Sequence, residues 1–372
     1  MRIGFDAKRA FMNRSGLGNY SRSLLTMLSE YYPENKYLLY HNLRKSELYE
    51  PVFGQRIMPP RHLFSHAFPS AWRSYYIKND IKLDSLDLYH GLSNELPFGI
   101  RKSGVKTAVT IHDLIFKRYP ELYKKADRFI YDIKFSHACR VADMVFATSE
   151  ATKQDIIEFY KIPEAKIKVT YQTCDALYRK RIVDAERSAI RMMYKVSKDF
   201  ILTVGTIEER KNMLVILKAL QIGKLDIELV IVGRATPYLE QLKEYIAQHK
   251  MESQVKVLHN VDSYDLPGLY QTAKAFLYPS LYEGFGIPIL EALYSGAPVI
   301  TSTGSCFRET GGDAARYCDP RSPEELAFLI QQVISDSELR NTMISEGKNQ
   351  AAKFDSDLII KRIMELYQEI IS

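Results

Sequence analysis

Short apolar runs alternate with stretches whose apolar positions recur every three or four residues, and this holds nearly from one end of the chain to the other. Such alternation predicts strand–helix–strand units with parallel pairing. In the second half the strand signals are FILTVG (200–205), IELVIVG (227–233), VKVLH (255–259), AFLYPS (275–280) and APVITS (297–302). In the first half they are RIGFD (2–6), KYLLYH (36–41), DLYH (87–90), KTAVTIHD (106–113), DMVFATS (143–149) and KIKVTY (166–171). The pattern therefore predicts an α/β chain with two open parallel sheets in series. Between them, residues 174–199 are charged and show no alternation. The boundary is expected there, between a first domain over 1–175 and a second over 195–355. The closing stretch DLIIKRIMELYQEII (357–371) carries apolar positions at helical spacing and must bury that stripe somewhere.

Length agrees with this division, because 372 residues exceed one typical core and suit two domains facing a cleft. Apolar residues at 46% and charged residues at 26% exclude a largely disordered chain. No apolar run approaches the roughly 20 residues that span a bilayer, and MRIGFDAKRAF reads as a first strand rather than a signal peptide. A cytoplasmic protein is the expectation. Cys139, Cys174, Cys306 and Cys318 have no CxxC spacing and read as reduced core thiols. The net charge of +6 is uneven, at +10 over residues 1–190 and −4 over 191–372. A basic first half suits phosphates, nucleic acid or an anionic membrane surface, and equally a plain solvated surface.

Three segments carry candidate chemistry. LYPSLYEGFGIPILE (277–291) runs from a strand through a glycine-containing turn into a helix, with Pro288 in its first turn. Gly284 and Gly286 permit close backbone approach, and the helix start offers N–H groups to an anionic or hydroxyl-rich ligand. Glu283 and Glu291 flank the turn, and carboxylates accept hydrogen bonds from sugar hydroxyls. Each glutamate taken singly also reads as an ordinary loop or helix-start acid. In ILTVGTIEERKN (201–212), Arg210 and Lys211 lie near a helix start, where the macrodipole disfavours cations. A bound diphosphate explains them, and a solvated pair is the alternative. SGLGNYSRSLL (15–25) places Gly16 and Gly18 at a helix entry, but Ser21 stands where a dinucleotide fingerprint needs its third glycine.

His90-Gly91, His112-Asp113 and Ser149-Glu150 each close a strand of the first sheet, where polar side chains meet substrates in open α/β sheets. The single DxD, Asp355-Ser356-Asp357, reads as a helix N-cap with a first-turn acid, and no histidine or cysteine cluster has ligand spacing, so no metal is expected. Residues 56–78 mix Arg56, Arg61 and Arg73 with Phe64, Phe68, Trp72, Tyr75 and Tyr76. Such a segment suits a membrane surface or a lipid diphosphate, and equally a plain loop over a helix.

The EGFGIPILEAL segment, with glutamates eight apart, and VGTIEERKN resemble glycosyltransferase family 4 of the GT-B superfamily, and the GTxxxRKN pattern is similar to bacterial mannosyltransferases of surface-polysaccharide assembly. The resemblance runs over nearly the whole chain. It implies two Rossmann-like domains facing a central cleft, the first binding acceptor and the second the nucleotide-sugar, with a terminal helix (356–372) crossing back to the first. It further implies retaining hexosyl transfer without metal or cofactor, the nucleotide-sugar being a co-substrate. By this resemblance Gly205, Thr206, Arg210 and Lys211 form the phosphate loop and Glu291 holds ribose hydroxyls. Glu283, Gly284, Phe285, Gly286 and Ile287 form the sugar-binding turn, Gly16 and Gly18 lie near the phosphates, and His112 lies near the donor sugar. Glu283, His112, Arg210 and Lys211 are thus the catalytic candidates, while Gly233, Arg234 and Val261 fall where the family seats the base. Many relatives have arginine where this chain has Thr206. The implied donor is GDP-mannose, with UDP-glucose or UDP-N-acetylglucosamine as alternatives. The implied acceptor is a glycan or lipid-linked saccharide, with peripheral contact at the inner membrane and no nucleic acid. Competing readings are a dinucleotide oxidoreductase, disfavoured by Ser21, a sugar-nucleotide epimerase on the same fold, and a two-lobed sugar-binding protein.

Overall fold

The computed structural model describes residues 1–42, 46–196 and 199–372, without the side chains of Leu63 and Phe64, so Phe64 of the aromatic segment lies outside the described side chains. The chain forms two compact units, Met1–Gln172 with Asp355–Ser372, and Thr173–Phe354.

The first unit holds a seven-stranded sheet in the order β3-β2-β1-β4-β5-β6-β7. Its strands are β1 (Arg2–Asp6), β2 (Lys36–Tyr40), β3 (Gln55–Met58), β4 (Leu88–Gly91), β5 (Lys106–Ile111), β6 (Met144–Ala147) and β7 (Ile167–Val169). The second unit holds a six-stranded sheet in the order β10-β9-β8-β11-β12-β13. Its strands are β8 (Phe200–Val204), β9 (Glu228–Val232), β10 (Val255–Leu258), β11 (Ala275–Tyr278), β12 (Val299–Ser302) and β13 (Ala315–Cys318). All pairings are parallel. Central strands are buried on both faces, which is why they read as continuous apolar runs.

Two strands escape the apolar pattern, β3 (QRIM) and β13 (ARYC), and both are edges. An edge strand has a neighbour on one side only and tolerates polar and charged side chains; the edges β7 and β10 keep enough apolar positions to be read from the sequence, whereas these two do not. The charged stretch 174–199 is another difference, since from Thr173 onward the chain belongs to the second unit. There the helix Asp184–Met193 packs on the helix Leu266–Thr272, where Gly268 leaves room for Ile190, whose Cδ1 lies 2.4 Å from the position a Cβ would take.

The final helix, Ser356–Ile371, lays its stripe of Ile359, Ile360, Ile363, Met364, Leu366, Tyr367 and Ile370 into the first unit's core beside Leu24, Leu25 and Leu28. A buried polar thread fixes its register. The Tyr367 hydroxyl lies 2.6 Å from His90 Nδ1, His90 Nε2 lies 2.9 Å from Thr110 Oγ1, and the Tyr20 hydroxyl lies 3.0 Å from that same Oγ1. Burial pushes the His90 imidazole down to about 3, so the thread is neutral and each member depends on its neighbour. Tyr367→Phe orphans a buried ring nitrogen and should destabilise the first unit by about 1–3 kcal/mol. The check is urea unfolding followed by fluorescence of the single tryptophan, Trp72, which is buried in this unit; an unchanged midpoint would refute the role given to the thread.

Candidate functional site

In the second unit two strand-end loops are drawn together. Gly205 follows β8 with φ of +149°, and the bare Gly233 after β9 lets the Gly205 carbonyl oxygen approach to 1.8 Å from where a Cβ would stand. The loops are zipped by Gly205 N–H to Val232 O at 2.9 Å and Ile207 N–H to Arg234 O at 3.0 Å. A short turn, Glu209–Lys211, ends at Asn212 in the left-handed region. The Asn212 amide donates to Pro279 O at 3.1 Å and Pro320 O at 2.7 Å, and Leu281 N–H donates to Arg210 O at 2.9 Å. Arg210 and Lys211 are thereby carried to the loop that follows β11.

Both cations end on one carboxylate. Glu283 Oε1 lies 2.6 Å from Lys211 Nζ and 2.6 Å from Arg210 Nη1. Arg210 also donates to Tyr282 O at 2.8 Å and Glu208 Oε1 at 2.6 Å. Lys211 donates to the Tyr278 hydroxyl and stands 4.7 Å from the centre of that ring. Glu283 is only 8% exposed. Burial opposes its charge, but Arg210 and Lys211 outweigh it and hold the carboxyl at about 2. Burial also pulls the Lys211 ammonium below its ordinary value, whereas Glu283 and Glu208 outweigh desolvation to raise Arg210. Glu283 itself is braced by Ser305, whose hydroxyl donates to its carbonyl at 2.7 Å.

The turn continues to Gly286, φ +90°, which caps the helix Ile287–Ser295 without a side-chain hydrogen bond to that helix start. Its first N–H groups are therefore presented at the end of β11, a position suited to an anion. Phe285 is a core residue, edge-on to Phe354 at 5.4 Å, and its carbonyl accepts from Thr310. Glu291 accepts from the Tyr270 hydroxyl at 3.0 Å and from Tyr178, and burial pushes its carboxyl up to about 7. The Lys211 charge reaches Glu291 as well, so the two glutamates and Lys211 share one electrostatic neighbourhood. Near neutral pH Glu291 is part protonated, which the sequence reading as a plain acceptor did not foresee.

Other expected residues are more dispersed. Thr206 and Val261 are half-buried and Arg234 is exposed. The Gly233 carbonyl accepts from or faces His259 Nδ1 at 2.7 Å, a partner that the sequence reading missed. In the first unit, Gly16 and Gly18 open the helix Gly16–Tyr31. Gly16 has open space around it, whereas a Cβ on Gly18 would stand 1.8 Å from Asn13 O, so the loop's own folding requires that glycine. His112 is enclosed: Nε2 donates to Leu92 O at 2.9 Å, Nδ1 accepts from the Gln172 amide at 3.2 Å, and Tyr20 stands edge-on at 4.7 Å. Burial pushes it down to about 4, so the ring is neutral with both nitrogens engaged. Among the described residues no group of three or more His, Cys, Asp or Glu could hold a metal ion.

Two family models match, Glycosyltransferase Family 4 over residues 27–176 and Glycosyl transferases group 1 over residues 193–350. This chain belongs to the glycosyltransferases. Among curated proteins it is 29% identical over 287 residues to O-antigen chain mannosyltransferase B of Escherichia coli, covering 76% of this chain and 74% of that protein. It is 28% identical over 249 residues to O-antigen chain mannosyltransferase RfbU of Salmonella typhimurium, covering 67% of this chain and 65% of that one. Among solved structures, Anabaena HepE in complex with UDP and glucose superposes with a TM-score of 0.75 at 19% identity, over 99% of this chain and 100% of that one. The two parallel-sheet units are thus those of the GT-B fold.

Within this glycosyltransferase part of the basic, aromatic segment 56–78 is engaged by acids of the first unit. Arg73 pairs with Asp6 at 2.6 Å and Glu95 at 2.9 Å, Arg61 pairs with Asp84, and Trp72 is buried with its Nε1–H on Asp80 at 2.7 Å. Phe68, Tyr75 and Tyr76 remain about half exposed. No helix among the described residues is long and apolar enough to cross a membrane.

Tyr278, Tyr270 and Ser305 were absent from the sequence reading. The signal available was weak: a tyrosine closing a buried strand needs a partner for its hydroxyl, which for Tyr278 is Lys211. Glu283→Gln leaves two buried cations without their shared counter-charge and should destabilise the second unit by about 3–5 kcal/mol, read by calorimetry as a lowered transition that Trp72 fluorescence does not follow. The titration of Glu291 has a defined sign. Its proton is held more tightly in the folded state, so its contribution is present below about pH 4.5 and lost as pH rises through about 7. Glu291→Gln should therefore flatten the fall in second-unit melting temperature between about pH 5 and pH 8; an equally steep fall in the variant would reject this assignment.

Proposed function

We propose that this glycosyltransferase moves a mannosyl group from GDP-mannose to a glycan or lipid-linked saccharide during surface-polysaccharide assembly, with retention at the anomeric carbon and without a metal. The observation that carries the reading is the pair of buried cations, Arg210 and Lys211, gathered at the carboxyl ends of β8 and β11 on the inner carboxylate of Glu283, with Glu208 on the outer side of Arg210. A donor diphosphate fits this place because Arg210 and Lys211 can add charge-assisted hydrogen bonds to its oxygens and the first N–H groups of the helix Ile287–Ser295 can donate to them. Charge that builds on the departing nucleoside diphosphate is then stabilised by Arg210 and Lys211, the role a divalent cation takes elsewhere. Glu291 is assigned to the ribose hydroxyls, the turn Glu283–Gly286 to the sugar, and the strand ends at Gly233 and Val261 to the base. Acceptor binding is assigned to the first unit, with half-exposed Phe68, Tyr75 and Tyr76 as its peripheral contact with the inner membrane. The mannosyl choice is supported by the relatives, which are O-antigen chain mannosyltransferases by name.

The test is a thermal-shift and turnover screen against GDP-mannose, UDP-glucose and UDP-N-acetylglucosamine, each with and without EDTA. GDP-mannose should stabilise the protein in EDTA, and Lys211→Ala should lower turnover by about 10²-fold or more. Stabilisation by a UDP-sugar instead reassigns the donor, and no response to any of the three overturns the reading.

A further inference from the structure

The amino-terminal ends of β1, β2 and β3 carry an arrangement that donor chemistry does not use. Arg2 and Lys36 are register partners across β1 and β2, and Leu38 and Arg56 are partners across β2 and β3. Partners share a face of the sheet, and so do residues two apart along a strand. Arg2, Lys36 and Arg56 therefore project from one face of three neighbouring strands. Arg61 joins them from beyond β3, and together they line a cavity of about 560 Å3 floored by Leu38 and Met58.

The charge in this cavity is not balanced from within. Asp84 is the single acid in its wall, and its carboxylate is already engaged by Arg61 and by the Tyr40 hydroxyl at 2.7 Å. Arg2 is held with its guanidinium on the Asp84 carbonyl at 2.9 and 3.2 Å, and its own N–H lies 2.8 Å from Asp87 Oδ2. Lys36 and Arg56 have no carboxylate partner among the described residues. Like charges side by side across neighbouring strands oppose sheet formation. Asp84 and, at 3.8 Å, Asp80 offset Arg61, and Asp87 stands beside the Arg2 N–H, so the excess positive charge rests on Lys36 and Arg56. Arg2 and Lys36 begin β1 and β2, whereas His112 and the Gly16–Gly18 turn follow the carboxyl ends of β5 and β1; from Arg2 and Lys36 the cavity runs along the outer strands to Met58 and Arg61.

We propose that this cavity is a second anion site of the first unit, taking a phosphate or diphosphate group that carries a further substituent. Guanidinium forks recognise phosphate oxygens in pairs, and Lys36 adds a point charge. The volume falls in the range of small-ligand pockets and exceeds what a bare phosphate fills. The phosphate is either that of an anionic lipid headgroup or that of a soluble phosphorylated compound.

The test compares the wild type with Lys36→Gln/Arg56→Gln, both side chains being exposed and outside the proposed transfer machinery. Inorganic pyrophosphate is titrated calorimetrically into each. Binding elsewhere, including beside Arg210 and Lys211, is common to both proteins, so only the difference counts. The expected result is a wild-type binding event weakened at least about ten-fold in the double variant, with each single substitution giving part of the loss should the double variant fail to fold. Flotation with vesicles of phosphatidylglycerol in phosphatidylcholine distinguishes the sources. Retention of the wild type alone, reversed by pyrophosphate, assigns a lipid headgroup, and pyrophosphate binding without retention assigns a soluble phosphate. Identical pyrophosphate titrations of the wild type and the variants overturn the proposal.

Discussion

A single ionised carboxylate, buried and shared between two cations, is the constraint on which the second unit's loops depend. Glu283 is charged because Arg210 and Lys211 touch the same oxygen atom, and those cations are tolerated in a water-poor place because Glu283 is there. That mutual dependence explains several local choices at once. Asn212 adopts a left-handed conformation to turn the cations inward, Tyr278 offers its hydroxyl and ring face to Lys211, and Ser305 ties down the Glu283 backbone. Gly205 and Gly233 let two strand-end loops pass at a distance that no side chain would permit.

The first unit handles burial of polar groups differently. Its thread from Tyr367 through His90 and Thr110 to Tyr20 contains no charge, and His112 is likewise held neutral between Leu92 and Gln172. Neutral hydrogen bonds avoid the cost of desolvating ions, so this arrangement fixes geometry without the sensitivity to counter-charge seen around Glu283. Between about pH 5 and 7 the histidines of the first unit and Glu291 of the second act in opposite directions, while at lower pH the depressed Glu283 weakens the second unit too. Depressed histidines weaken the first as pH falls below their ordinary value, and the elevated Glu291 weakens the second as pH rises towards neutrality.

Several residues changed meaning once their neighbours were known. Arg73 and Trp72 stand in a segment whose composition suits a membrane surface, yet Asp6, Glu95 and Asp80 engage them. Those partners lie 67, 22 and 8 positions away in the chain, beyond what local pattern conveys. Gly18 drew notice as a ligand-binding glycine, but the crowding that requires it comes from Asn13 O. Glu291 was legible as a functional acid, and its elevated proton affinity was not, because Tyr178 and Tyr270 reach it from other elements.

By itself the sequence determined the class of fold and most of its strands. Strands buried on both faces must be apolar throughout, and the hydrophobic effect writes that requirement directly into the residue order. It also marked the glycine turn, the basic loop and the acidic turn as separate candidates, since those need particular residue types at particular spacings. The edge strands β3 and β13, the attachment of 174–199 to the second unit, the partners of each cation and the protonation of Glu291 and His112 were decided only by the tertiary structure. β3 and β13, with one neighbouring strand each, carry charged residues within runs too short to show an apolar pattern. Ion pairs and proton affinities depend on distances between residues far apart in the chain and on the water excluded around them, and neither quantity exists until the sheets and helices have packed.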